Sequence, residues 1–151
     1  MTCRAMMISP PFILNAECPM ERAVTLLLGN GHAALPVVND EGEYMGMFSL
    51  RHALSEALPR IALMEEARID DLNFVHDKLN DLKQRFDAKA NEPIIHHLEK
   101  EIPVLNPDTS LMEVILLLYR SPEGVLPVLE NHKVIGLVCA SRTLAKIAGK
   151  V

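Results

Sequence analysis

The densest chemistry in the chain lies in one short stretch, Gly46-Met47-Phe48-Ser49-Leu50-Arg51-His52. A serine hydroxyl can donate to a phosphate or ribose oxygen. A guanidinium adds a rigid fork of donors, and a neutral imidazole accepts one hydrogen bond. Ser49, Arg51 and His52 therefore form a candidate anion-binding corner, suited to a ligand with excess negative charge or without a ribose. A second stretch, Gly136-Leu137-Val138-Cys139-Ala140-Ser141-Arg142, has the same shape but loses the hydroxyl at its fourth place. Arg142 and Lys146 could make a second corner there. The simpler alternative is that these are solvated residues opening a helix, as charged side chains at helix ends usually are.

Other chemistry is sparse. The histidines (His32, His52, His76, His96, His97 and His132) are scattered, and the neighbours His96 and His97 diverge in any regular structure, so no metal site is expected. Cys3, Cys18 and Cys139 fit neither a metal-ligand spacing nor a disulfide framework, and they imply a reducing compartment. There is no Ser-His-Asp motif, phosphate-binding glycine loop or HExxH, so an enzyme is not expected and no cofactor is required.

Composition narrows the class. With 49% apolar and 23% charged residues, the 151-residue chain reads as an ordinary globular protein that needs no staple. Aromatics are 4% and Trp is absent, so the core must be built from Leu, Val, Ile, Met and Ala. A net charge of −5 without a basic run argues against nucleic acid. No stretch of 18 apolar residues is present, so nothing is expected to insert in a membrane. The expected location is the cytoplasm.

The elements that must position these residues come from an internal repeat. Leu14-Asn15 matches Leu105-Asn106, Leu26-Leu27 matches Leu117-Leu118, and Leu35-Pro36-Val37 matches Leu126-Pro127-Val128, all at an offset of 91 (105 − 14, 127 − 36). The offset falls to 90 at Gly46 and Gly136, because the second turn is one residue shorter. Each copy predicts a short strand (Phe12–Leu14; Ile102–Leu105) and then a helix. The first helix has Pro19 at its first turn and stops at Gly29-Asn30-Gly31. The second has Ser110 and Glu113 at capping-box spacing. Both helices are apolar on more than one face, which predicts burial on several sides. A hairpin follows in each copy, Leu35–Val38 with Tyr44–Phe48 and Leu126–Leu129 with Val134–Val138. Short helices near Leu50–Leu58 and Ser141–Ala148 close the copies. Between them, Leu72, Val75, Leu79, Leu82 and Phe86 fall at helical spacing and predict a helix with a narrow apolar seam, packed on its own module or used for self-association or partner contact.

The order β-α-β-β-α, twice, with Leu35-Pro36-Val37-Val38 and Leu126-Pro127-Val128-Leu129 each before a glycine-bearing strand, resembles the CBS domain family. Asn106-Pro107-Asp108-Thr109-Ser110-Leu111 also looks like that family's entry to its first helix. The resemblance implies an α/β (α+β) fold of two tandem repeats packed as a pseudo-two-fold pair, with residues 1–58 and 94–151 as the repeats and 59–93 as a helical insertion. It implies a stand-alone regulatory module that senses a small ligand, such as AMP, ADP, ATP or S-adenosylmethionine, and regulates an enzyme or transporter as a homodimer. The alternative is a ligand-free structural or interaction module acting through the central helix and a homodimer interface. The family's nucleotide signature places an acid where this chain has His52 and Arg142, which removes the usual acceptor for the ribose hydroxyls. By the same resemblance, the pocket walls would be Phe12, Ile13, Leu35 and Pro36 in the first copy. Ile102, Pro103, Leu126 and Pro127 would serve the second, with Ser49, Arg51, His52 and Arg142 as the polar contacts.

Overall fold

The computed structural model describes residues 1–64 and 76–150. The first repeat runs β1 (Leu14–Asn15), α1 (Met20–Asn30), β2 (Ala34–Val38), β3 (Tyr44–Ser49) and α2 (Leu50–Ser55). The intervening segment holds a 3-10 turn at Arg60–Leu63, then α3 (Leu79–Asp87) and a 3-10 turn at Ile94–His96. The second repeat contributes α4 (Leu111–Arg120), β4 (Val125–Glu130), β5 (Lys133–Cys139) and α5 (Ala140–Ile147). β1 lies parallel to β2, and β2 pairs antiparallel with β3. β4 and β5 pair antiparallel, and the entry strand expected at Ile102–Leu105 is reduced to a parallel bridge from Leu105 to Val128.

Turn chemistry follows the residue types. Gly31 leaves α1 in the left-handed conformation, at φ 76°. Asn131 and His132 both have positive φ in the two-residue link between β4 and β5, the geometry a tight hairpin requires. Ser110 caps α4 by accepting a hydrogen bond from the Glu113 N–H.

Each repeat completes its sheet with the entry segment of the other. Ile8, ahead of β1 in the first repeat, exchanges both backbone hydrogen bonds with Leu137 of β5, at 2.6 and 3.0 Å. Glu99, ahead of α4 in the second repeat, does the same with Met47 of β3, at 2.7 and 2.9 Å. The side chains follow the backbone. Cys3 and Met6 pack into the core of Leu105, Val114, Leu126, Val128 and Val138. Ile94 packs with Leu14, Met20, Leu27, Leu35 and Phe48, in a cluster that also takes Val125 and Leu137 from the second repeat. The strands paired this way are buried on both faces, so Leu35–Val38 and Val125–Val128 read as continuous apolar runs.

The two glycines shared by the repeats lie where the exchanged segments cross. A Cβ on Gly46, whose φ is +151°, would sit 3.1 Å from Leu98 Cβ and 3.2 Å from the Glu99 carbonyl oxygen. A Cβ on Gly136 would meet Met7 Sδ at 2.8 Å and the Ile8 carbonyl oxygen at 3.1 Å.

Several sequence expectations change. Pro19 is the cap residue before α1 rather than its first helical residue. α1 and α4 are not buried on several sides: Leu28 is 66% exposed and Tyr119 86%. Only one stripe of each meets the core. The central helix begins at Leu79, which is itself exposed, while Phe86 packs against the first core. Leu72 and Val75 of the expected seam lie outside the described residues.

The crossing at β3 generates a stability prediction. Gly46→Ala should cost about 1–3 kcal/mol, because the new methyl meets backbone at a positive φ. Gly29→Ala, in α1 with nothing within 4 Å, should instead gain up to about 1 kcal/mol. Urea unfolding of the two variants checks this, and equal effects would refute the crossing.

Candidate functional site

Ser49 is fully buried at the junction of β3 and α2. Its hydroxyl accepts from the His52 N–H at 3.0 Å, which caps α2, and donates to Glu99 Oε1 at 3.4 Å. The same carboxylate oxygen accepts from Arg51 Nη1 at 3.3 Å. The anion corner expected from Ser49 and Arg51 is thus filled by the protein's own anion, brought in by the exchanged segment. Glu99 brings a carboxylate to this corner from the segment entering the second repeat. His52 does not join this corner, since its Nε2 lies 3.3 Å from Glu56 Oε1. In the second copy Cys139 precedes α5 without capping it, Arg142 is exposed, and Lys146 donates to the Ala5 carbonyl at 2.8 Å.

Beside the Glu99 corner opens a cleft of about 440 Å³ between the repeats. One wall is Arg51 and Glu99. The other is Ile102, Pro103, Leu117, Arg120 and Glu123, with Glu101 at the edge. Such a volume lies within the range of small-molecule sites. It combines an apolar floor with two guanidinium groups and carboxylates able to accept hydroxyl hydrogen bonds. A further cavity of similar size extends from Arg51, His52 and Glu99 to Leu58 and Leu63.

The expected wall residues separate into three groups. Ile102 and Pro103 line the inter-repeat cleft with Arg51. Leu35 and Leu126 are fully enclosed in the cores, and Pro36 and Pro127 are buried in the strands beside them. Phe12 and Ile13 are about two-fifths exposed, at 40% and 42%, and border neither cavity.

A buried polar cluster adjoins the second cavity. Glu56 and His97 are 8% and 7% exposed, with His97 Nδ1 3.1 Å from Glu56 Oε1. Lys89 Nζ lies 3.0 Å from Glu56 Oε2, and Glu92 Oε2 lies 3.4 Å from His97 Nε2. Burial pushes the His52 imidazole below its ordinary value, outweighing the pull of Glu56 in the other direction. For Glu56, burial pushes upward, but Lys89 and then the two histidines outweigh it and hold the carboxyl below its ordinary range.

Sequence reasoning missed Glu56, Glu99 and Arg120. Glu56 lies four residues after His52, so its place on the same helical face was legible. Glu99 and His97 carry no local signal, because only the exchange of entry segments brings them to α2.

Residues 3–58 and 95–149 each match the CBS domain. The chain belongs to the CBS domain family. Its fold is that of a CBS pair. CBSX2 from Arabidopsis thaliana superposes with a TM-score of 0.75 at 16% identity, over 98% of this chain and 94% of that one. A structure of CBSX2 in complex with AMP gives 0.70 at 17% identity, over 98% and 96% of the two chains. CbpB in complex with c-di-AMP gives 0.67 at 17% identity, over 99% of this chain and 86% of that one. Among curated proteins, an A-adding tRNA nucleotidyltransferase of Aquifex aeolicus is 25% identical over 135 residues. That match covers 89% of this chain but spans only 13% of the enzyme's length. Among the described residues no helix is long and apolar enough to cross a membrane.

The capping difference between the repeats gives the next prediction. Ser49→Ala should cost about 1–2 kcal/mol, from the lost cap and the unpartnered Glu99 bond. Cys139→Ser offers α5 the cap that α2 already has and should be neutral or stabilising by up to about 1 kcal/mol. Denaturant midpoints read both, and a Ser49→Ala variant as stable as the parent would show that the capping contact is absent.

Proposed function

We propose that this CBS pair is a regulatory module whose inter-repeat cleft senses an adenine nucleotide, and that the signal leaves through a protein interface. The observation that carries the reading is the cleft itself, where Arg51 of one repeat faces Ile102, Pro103 and Arg120 of the other. The adenine would lie on Ile102, Pro103 and Leu117. Carboxylates at the rim, Glu101 or Glu123, would accept the ribose hydroxyls. Arg120 would meet phosphate, joined by Arg51 once the ligand displaces Glu99. The AMP and c-di-AMP complexes of CBSX2 and CbpB support the ligand class.

The repeat symmetry points to one cleft rather than two. By the internal offsets, Arg51 corresponds to Ser141 (51 + 90) and Arg120 to Gly29 (120 − 91), so the mirror cleft lacks both cations. A ligand touching both repeats favours one relative arrangement of them, which is how binding would reach a regulated enzyme or transporter. The three unpaired cysteines agree with a reducing, cytoplasmic setting.

A thermal unfolding panel with AMP, ADP, ATP, c-di-AMP and S-adenosylmethionine tests the reading. At about 100 times its Kd, a ligand should stabilise the native state by about 2.7 kcal/mol, a shift of roughly 5–10 °C for a chain of this size. Arg120→Ala should weaken that ligand at least tenfold. A flat panel at millimolar ligand would overturn the nucleotide reading in favour of a ligand-free interaction module.

The interface has its own supporting observation. Tyr119 of α4 and Leu144 and Ile147 of α5 are between 56% and 86% exposed and line an apolar groove of about 210 Å³, and Met112 and Leu116 of α4 are exposed as well. A second copy docking there would form the expected homodimer. Light scattering should then report a dimer that Tyr119→Glu with Leu144→Glu converts to a monomer, and a parent chain monomeric at about 100 μM would refute the dimer.

A further inference from the structure

His52, Glu56 and His97 converge from two separate parts of the chain. The first two share one face of α2 and its end, four residues apart, and His97 follows the 3-10 turn that leads into the second repeat. Their ligand-capable atoms, His52 Nε2, Glu56 Oε1 and His97 Nδ1, all lie within 4.8 Å of one another. The contacts to Glu56 are 3.3 and 3.1 Å. A tetrahedral ion with arms of about 2.0–2.1 Å separates its ligands by about 3.3 Å, so two of the three edges already have the right length.

The surroundings continue the pattern. Glu92 Oε2 lies 3.4 Å from His97 Nε2, the nitrogen facing away from the cluster. A carboxylate at that place would accept the Nε2 proton once Nδ1, which now faces Glu56 Oε1 at 3.1 Å, gives its lone pair to a metal. The described residues contain four buried side-chain polar atoms without an aligned hydrogen bond, and three belong here: Glu56 Oε2, Glu92 Oε2 and His97 Nε2. Lys89 reaches Glu56 Oε2 at 3.0 Å but out of hydrogen-bonding alignment, and its side chain is half exposed and free to leave.

The other repeat shows that the fold does not demand this chemistry. By the internal offsets His97 corresponds to Met6 (97 − 91), His52 to Arg142 (52 + 90) and Glu56 to Lys146 (56 + 90). Met6 is buried in its core, and Lys146 reaches the neighbouring Ala5 carbonyl. An apolar side chain therefore serves the same place in the scaffold, and the histidine and its carboxylates are an addition to it.

We propose that His52, Glu56 and His97 form a binding site for a divalent transition-metal ion of the zinc class, with Glu92 as the outer carboxylate and the fourth position left to water. Two imidazoles with one carboxylate select such ions over magnesium or calcium, which prefer all-oxygen shells. The bound ion would tie α2 of the first repeat to the segment entering the second. Lys89 is the resident cation that the metal displaces from Glu56.

Titration of untagged, chelator-treated protein with zinc, followed by calorimetry, and with cobalt, followed by visible absorption, tests the site. The parent protein should bind one equivalent and give cobalt the intense bands of a four-coordinate ion. His97→Met, which installs the side chain found at the equivalent place in the other repeat, should fold and weaken binding at least tenfold. Glu92→Gln should weaken it about 10–100-fold. Lys89→Met, at an exposed position, should tighten it by removing the competing charge. The proposal is overturned if the parent binds no stoichiometric zinc, if His97→Met binds as the parent does, or if Lys89→Met leaves the affinity unchanged.

Discussion

The exchange of entry segments is the constraint on which the rest of the molecule depends. The entry segment of each repeat is hydrogen-bonded to the last strand of the other, in both directions, through Ile8 with Leu137 and Glu99 with Met47. Neither repeat presents a closed sheet by itself. The crossing explains why both second strands carry glycine, why Cys3 and Ile94 occupy equivalent core places, and why side chains from far along the sequence meet at α2. The joint core makes the two repeats one cooperative unit, because neither can open without exposing apolar surface of the other.

Within this frame the copies have drifted apart where polar chemistry is concerned and stayed alike where packing is. Leu-Pro-Val persists in both β2 and β4, at positions enclosed on every side. Ser49 stands opposite Cys139, His97 opposite Met6, and Glu56 opposite Lys146. Those places lie at helix ends and at the crossings, where the backbone geometry is fixed but the side chain is not. The cleft and the His-Glu cluster sit on the same side of this divergence. They share the segment His97–Glu99 and the first turn of α2.

What the sequence made legible follows from the range over which each signal acts. The repeat, the hairpins and most helix ends are local matters of apolar period, glycine, proline and caps, and they could be placed within a few residues. The helix faces were misjudged because α1 and α4 are apolar nearly all round, and composition does not say which stripe meets a partner. The site was legible only in part. Of the residues singled out from motif positions, Arg51, Ile102 and Pro103 line the cleft, and Ser49 is buried behind it with a bond to Glu99. Glu99 and His97 were not singled out, because their meeting with α2 is set by the exchange of segments and has no sequence period. The adjacency of His96 and His97 argued against a shared metal, yet it is His97 alone that turns inward, toward Glu56.

The same exchange sets a clock on synthesis. β3 must wait for Glu99, 52 residues further on (99 − 47), before its open edge is covered, and Ile8 must wait for Leu137, 129 residues later (137 − 8). At about 5–20 residues per second the nascent first repeat spends seconds with an unpaired strand facing solvent. Ile8, made long before β5, is among the last of these segments to find its partner. The pair stays incomplete until the hairpin of β4 and β5 has emerged, and an interruption before it leaves the Ile8 segment without a place to bind.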